Sequence, residues 1–427
     1  MPRLPSGRAV VPLAACAVFV LALGSPQLAQ EAAPSHLRTW LPYGASHLNE
    51  SLPPAYMAAH ADFAEMDASQ PEFANRYKAA GGARAVMYTD PAYVPYCVPP
   101  FAPPAGPCRG PIGNAPLPED AWLHGPDGER IHRADSYTHE YQEALNPASP
   151  AARAAFREFT QAAAAQARVD LFFADDSGST PRGHFYRFDA RAVELAGDAQ
   201  FIAAEKGLLA AAVRPLILNG NDPVTWLPAF DGAFLDADNV AGENTEGCFV
   251  ASWYRVPLAD DAWRKMADEQ LAITRRHRLA VCMMQGEGMK DPATRLYGLA
   301  SWWLTYDPQW SVIAPMSPGS DGAVVFADED VVPADPLRTA RAGVDELRGD
   351  ATYVREFARC FEAGHPIGRC AAVVNPSHAQ AVFPRLTQTY RAVLALDARS
   401  APAGGRVRWL PSVPRILGPL QAAILRQ

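Results

Sequence analysis

Two short apolar runs each end in a pair of acids: Val169-Asp170-Leu171-Phe172-Phe173-Ala174-Asp175-Asp176 and Gly232-Ala233-Phe234-Leu235-Asp236-Ala237-Asp238. Two carboxylates held across a cleft suit one kind of chemistry. One acts as nucleophile or base, the other as acid, and a glycosidic bond is cut between them. The acids must first converge. An apolar run of this length is expected to be a buried parallel strand whose last residues emerge at the carboxyl edge of the sheet. In (β/α)8 barrels that edge carries the active site. Asp175, Asp176 and Asp236 are therefore candidate catalytic acids. Strand alternation turns one of Asp175 and Asp176 toward the barrel axis and the other toward the rim. The competing role for both is to cap the turn at Ser177-Gly178-Ser179.

Asp236, Asp238, Glu243 and Glu246 place four acids within eleven positions. Such a cluster suits a calcium ion or supplies a general acid. Glu246 is the candidate acid, because Cys248, Phe249 and Val250 follow it. An apolar patch disfavours the charged carboxylate, and a proton donor must stay protonated. The alternative is an ordinary solvated loop acid. Asp90, Asn219, Glu287 and Asp307 each stand near an expected strand end. With Asp238, Tyr43, Tyr88 and Trp226 they suggest a cup of acids, amides and rings that binds sugar. Rings stack on the apolar faces of sugars, while acids and amides bond hydroxyls. Trp302, Trp303 and Tyr306 belong equally well to core packing. Asp176-Ser177-Gly178 lacks the glycine that precedes a serine-protease nucleophile, and His139-Glu140 lacks the second histidine of a helical zinc site. The ten histidines are scattered. No metal and no cofactor is expected.

The elements that must position these residues alternate. Strand-like runs are expected at Leu37 to Tyr43, Arg84 to Thr89, Asp170 to Asp176, Pro215 to Gly220, Gly232 to Asn239, Leu279 to Gln285 and Trp310 to Pro315. Trp122 to Ile131 is a hairpin or a further strand. Helices are expected at Pro150 to Ala167 (with Ser149 as N-cap), Ala190 to Val213, Pro257 to Arg278 and Pro292 to Leu304. Alternation of this type implies a parallel sheet. The Gly-rich phosphate loop that favours a doubly wound open sheet is missing. From about Asp321 the chain turns to Val-rich runs and glycine turns, which suggests a mostly β appendix. The expected fold is α/β: a (β/α)8 TIM barrel over 30–318, then a small C-terminal β-domain over 319–427.

The chain has 427 residues, 49% of them hydrophobic, and a formal net charge of −8. That is enough for a large core, and the acidic balance argues against a nucleic-acid partner. Arg3 and Arg8 precede an apolar stretch from Ala9 to Leu23, the pattern of a secretory signal over 1–29. The stretch is short for a membrane span, so no integral membrane segment is expected after its removal. Leu13-Ala14-Ala15-Cys16 resembles a lipoprotein box, but the apolar stretch continues past Cys16, which disfavours a lipid anchor. A secreted or periplasmic protein is expected. Cys97, Cys108, Cys248, Cys282, Cys360 and Cys370 then remain, an even number in an exported chain. Cys97 with Cys108 and Cys360 with Cys370 bracket local turns. Cys248 and Cys282 form a third pair or stay as buried thiols. With no Cys-x-x-Cys, a cysteine-based zinc site is disfavoured.

Several segments resemble the (β/α)8 glycoside hydrolases, in particular the hypothetical glycoside-hydrolase-like families. They are Phe172-Phe173-Ala174-Asp175-Asp176, Leu216-Ile217-Leu218-Asn219-Gly220, Asn239-Val240 through Glu246-Gly247-Cys248, and Arg295 through Trp302 to Tyr306-Asp307-Pro308. The piece from Val354 to Ser377 is similar to the β-domain that follows many such barrels. The resemblance implies an Asp after the fourth strand as nucleophile, hence Asp175 or Asp176. It implies an acid after a later strand as proton donor, hence Glu246, or Asp236 in reserve. It also implies a poly- or oligosaccharide substrate and a two-carboxylate, retaining mechanism. A non-catalytic carbohydrate-binding barrel and a metal-dependent hydrolase are the alternatives.

Overall fold

In the computed structural model the described residues are 36–42, 53–66, 71–91, 93–96, 117–125, 127–134, 141–175, 177, 198–221, 232, 234–250, 257–316, 330–399 and 405–427. The chain opens with β1 (Trp40–Leu41), α1 (Pro54–His60), β2 (Phe63–Met66), α2 (Pro71–Ala79) and β3 (Arg84–Thr89). An excursion follows as a three-stranded antiparallel sheet: β4 (Tyr93–Tyr96), β5 (His132–Ala134) and β6 (Tyr141–Ala144), with β6 in the centre. The alternation then resumes with α3 (Pro150–Gln166), β7 (Leu171–Ala174), α4 (Asp198–Leu209), β8 (Leu216–Asn221) and β9 (Val240–Glu246). It ends with α5 (Asp260–Arg275), β10 (Leu279–Gln285), α6 (Pro292–Thr305) and β11 (Ser311–Met316).

Eight strands form one parallel sheet in the order β1-β2-β3-β7-β8-β9-β10-β11. A parallel bridge between Thr39 and Ile313 joins its two edges, so the sheet is a nearly closed barrel. Trp40, Phe63, Val86, Leu171, Phe173, Ile217, Val281, Met283 and Val312 fill its interior. Alternate residues such as Met87, Phe172, Leu218 and Ala280 pack outward against the helices. Ser149 caps α3 as expected, accepting from the Ala151 and Ala152 amides ahead of Pro150.

Two barrel strands differ from expectation. The run Gly232 to Asn239 is not a strand: the described part, Phe234 to Asn239, is a turn, and the barrel strand is the polar stretch that follows it. Asp236, Asp238 and Asn239 are turn formers. Phe234 and Leu235 bury themselves beneath the helices rather than in a ladder. The second barrel strand, Phe63–Met66, carries a glutamate in its middle and so does not look like a buried run. Glu65 is 1% exposed and turns inward, where its carboxylate accepts from the Trp40 indole at 2.8 Å. Trp122 to Ile131 belongs to the antiparallel excursion through bridges Trp122 to Leu145 and His124 to Arg130.

The C-terminal region is an antiparallel sheet of β12 (Val331–Pro336), β13 (Arg348–Gly349), β14 (Thr352–Glu362), β15 (His365–Asn375), β17 (Ala392–Ala395), β18 (Arg408–Leu410) and β20 (Gln421–Arg426). A separate ribbon pairs β16 (Ala381–Val382) with β19 (Ile416–Leu417). The β14–β15 hairpin turns at Ala363 and Gly364, both at positive φ, which suits a tight hairpin turn. This sheet shares a hydrophobic core with α5 and α6. Trp263, Trp302, Trp303 and Tyr306 lie fully buried against Tyr353, Phe357 and Ile424. The rings of α6 are therefore core residues. Cys248 is paired with Cys282, with Cα atoms 5.2 Å apart, and Cys360 with Cys370. Cys97 and Cys108 lie outside the described residues. Among the described residues no helix is long and apolar enough to cross a membrane.

Candidate active site

The carboxyl ends of β3, β7, β8 and β9 bring four side chains together. Leu171 and Phe173 face the barrel interior, so the next inward position beyond the strand is Asp175. Its backbone amide donates to the Thr89 carbonyl at 2.7 Å, which fixes it against β3. The chain then crosses back over β8. The Ser177 amide donates to the Asn219 carbonyl at 2.9 Å, and the Ser177 hydroxyl to the Ala174 carbonyl at 2.5 Å. Gly178 and Ser179 of the expected turn, and Asp176, lie outside the described residues.

The Asp175 carboxylate is half-buried and accepts from two side chains. Tyr88 Oη donates to Oδ2 at 2.6 Å, and Asn219 Nδ2 donates to Oδ1 at 2.6 Å. The same Asn219 nitrogen donates to Glu246 Oε1 at 3.0 Å. Asn244 Nδ2 donates to Asn219 Oδ1 at 2.6 Å. The Asn219 carboxamide is 4% exposed, and its bonding capacity toward the two acids is fully used. Because both acids share one donor atom, their two accepting oxygens are closer than the sum of those two bonds.

Glu246 is the last residue of β9 and is half-buried. Gly247, at φ +67°, turns the chain, and Cys248, Phe249 and Val250 are fully buried behind it. The Cys248–Cys282 bridge ties this turn to β10 two residues past the glutamate. Thr245, the neighbour on the opposite face, accepts from Gln270 and donates to Glu269 of α5, each at about 3 Å. The strand end is anchored on both sides of the acid.

The remaining candidates separate into three groups. Asp90 follows β3 and is buried at the same end of the barrel. Asp236 and Asp238 are exposed in the turn before β9, at the amino end of the strands, opposite Glu246. Their placement follows from the strand correction above, because they begin the wrong end of β9. Asp176, Tyr43 and Trp226 lie outside the described residues, as does the side chain of Glu287, whose backbone opens a 3-10 turn after β10. Asn244 was not anticipated. Its signal is its spacing, two residues before Glu246 on one strand face. Among the described residues no three His, Cys, Asp or Glu side chains converge as a metal site.

No protein-family model and no curated protein matches the chain. Solved structures do. One is a MUTB variant from crystals soaked with trehalulose, with TM-score 0.51, 11% identity, and coverage of 93% of this chain and 100% of that one. A trehalulose synthase MUTB variant in complex with Tris has TM-score 0.50, 12% identity, and coverage of 92% and 99%. The chain shares their fold. An isomaltulose synthase from Klebsiella sp. LX3 is also similar, with TM-score 0.48, 10% identity, and coverage of 92% and 99%. At these identities the likeness to the two MUTB structures is one of fold, and it agrees with the (β/α)8 barrel and trailing antiparallel sheet.

Proposed function

We propose that this protein is an exported glycoside hydrolase that cuts O-glycosidic bonds in a poly- or oligosaccharide with retention of anomeric configuration. The observation that carries the reading is the single Asn219 nitrogen that bonds both Asp175 and Glu246. It sets two carboxyl groups side by side at the barrel end where such enzymes work. The sugar-converting structures that share the fold support the reaction class. The basic, apolar leader sequence and the paired cysteines support export.

In this reading Asp175 attacks the anomeric carbon while the C–O bond to the leaving group breaks. Glu246 gives its proton to the departing oxygen. Glu246 then takes a proton from water, the hydroxide attacks the anomeric carbon, and Asp175 is released. Tyr88 and Asn219 each hold one oxygen of Asp175, which fixes the carboxylate plane. Asn219 also fixes the distance between the two acids. Asp90 lies near enough in the fold to serve as a hydroxyl ligand, and Asp176, Tyr43, Trp226 and Glu287 remain in the proposed cup on sequence grounds.

The test is hydrolysis of a panel of aryl glycosides and polysaccharides, with the first-formed anomer read by NMR. Wild type is expected to release the anomer of the same configuration as the substrate, and Asp175→Asn and Glu246→Gln to lose turnover. Product of inverted configuration would remove the nucleophile role of Asp175. Sugar binding without turnover in the wild type would point to the non-catalytic barrel.

A further inference from the structure

Gln285 is the last residue of β10, and its side chain lies on the inner face, two positions beyond Met283 of the barrel interior. It is 5% exposed, and among the described residues its Oε1 has no hydrogen-bond partner and its Nε2 meets only the Met283 sulfur, at 2.8 Å. A thioether is a weak acceptor, so exchanging the two amide heads would still leave one without a partner. A buried amide without partners destabilises the fold, and an apolar side chain of the same shape would serve the core better. Asn244, one strand away, also has an unbonded Oδ1, but it pairs with Val281, deep in the barrel. Gln285 stands above Met283, which pairs with Glu246, and so tops the layer of the proton donor.

Strand order then gives the direction. Asp175 follows β7, Asn219 is on β8, Glu246 ends β9 and Gln285 ends β10. Glu246 stands between Gln285 and the nucleophile. A proton donor sits beside the leaving oxygen. We infer that Gln285 is a specificity residue that bonds a hydroxyl of the leaving sugar, the residue on the far side of the scissile bond from Asp175. This rests on the proposed roles of Asp175 and Glu246. The leaving group it recognises is a neutral, hydroxyl-bearing sugar ring, which offers an O–H to the amide oxygen and a lone pair to the amide nitrogen. A hydroxyl of the leaving sugar would supply the partner that the buried amide oxygen lacks.

The test compares two substrates that share a glycone: an oligosaccharide, whose leaving group is a sugar, and an aryl glycoside, whose leaving group has no sugar hydroxyls. Gln285→Leu is expected to lower the ratio of kcat/KM for oligosaccharide over aryl glycoside by about tenfold or more, the worth of one or two neutral hydrogen bonds. It is also expected to raise the melting temperature, because it removes an unsatisfied buried amide. Gln285→Glu, which keeps an acceptor, is expected to retain more of the ratio than Gln285→Leu. An unchanged ratio with a normally active wild type would overturn the assignment and leave the glycosidase reading standing. So would an equal loss on both substrates with a lowered melting temperature, which would mark a structural role. A folded wild type inert on every glycoside in the panel would overturn both.

Discussion

At the seam between barrel and C-terminal sheet, Arg355 is 5% exposed and gives its Nη1 to the Leu304 and Tyr306 carbonyls at 2.9 and 2.8 Å and to that of Trp303 at 3.3 Å. At the barrel mouth, Asp175, Asn219 and Glu246 bond to one another's side chains, and the two acids stay half-buried. Both clusters are polar groups set in apolar surroundings. They differ in what answers the charge. The guanidinium of Arg355 caps the carboxyl end of α6, where unsatisfied carbonyls and the helix dipole both favour a cation. Burial nevertheless pushes it down to about 10. Each bond there locks one part of the backbone to another. At the mouth the bonds fix side chains relative to each other. The first arrangement holds a fold together. The second holds the two carboxyl groups proposed as catalytic at a set distance.

The sharpest way to break this contrast is to exchange the readouts. Asp175→Asn is expected to lower kcat/KM by at least about 10³-fold, since a nucleophile and its charge are lost together. Its melting temperature is expected to stay within a few degrees of wild type, because the remaining oxygen still accepts from Asn219 and the Tyr88 hydroxyl can turn to accept from the new amide nitrogen. Unfolding of this variant would mean that the mouth is structural after all. Arg355→Met should behave in the opposite way. It removes the donor and leaves three helix-end carbonyls buried, at a cost of about 1–3 kcal/mol in urea unfolding. Activity per folded molecule is expected to be preserved. A selective loss of turnover in this variant would show that the seam acts on the site.

The legible and illegible parts of the chain divide along similar lines. Arg84–Thr89 and Leu279–Gln285 are apolar, bounded by turns, and form strands at the expected residues. β9 is Val-Ala-Gly-Glu-Asn-Thr-Glu, a run without the apolar pattern of a buried strand. Its polar groups find partners on the neighbouring strand β8 and on α5, and no local pattern announces partners so distant in sequence. The apolar run before it looked like the strand and drew Asp236 and Asp238 into the site. Asp175, Asn219, Tyr88 and Glu246 were legible because each sits at or beside a strand end and carries a functional group. At the end of β10 the acid Glu287 has the residue type of a site group, whereas the amide Gln285 carries no such signal in the sequence. Its isolation is visible only once its neighbours are in place.

Two further effects sharpen the comparison. The Cys248–Cys282 bridge closes a separation of 34 residues beside Glu246. Replacing both cysteines with alanine is expected to cost about 2–4 kcal/mol of stability. Because Thr245 still ties β9 to α5, the remaining folded enzyme should lose less activity than Glu246→Gln. A loss equal to that of Glu246→Gln would make the bridge, rather than the strand, the device that positions the acid.

The last test concerns a buried acid that fits neither cluster. Glu205 of α4 is 5% exposed, and burial raises its carboxyl from 4.5 to about 8. At neutral pH it therefore carries a proton in the folded chain and loses it on unfolding. An acid whose folded value lies above its unfolded one contributes fully below pH 4.5, and that contribution is lost as pH rises through about 8. The stability of the wild type should thus fall across this window with a slope approaching about 1.4 kcal/mol per pH unit from this group alone. Glu205→Gln has no proton to lose, so it should remove that slope and be the more stable form above pH 8. Unfolding curves at pH 5 and at pH 9 measure both effects. Activity should follow only the folded fraction, since α4 precedes β8 at the amino end of the strands, away from Asp175 and Glu246. If the two proteins lose stability in parallel with pH, another group governs the window and the Glu205 carboxyl is not held protonated by burial.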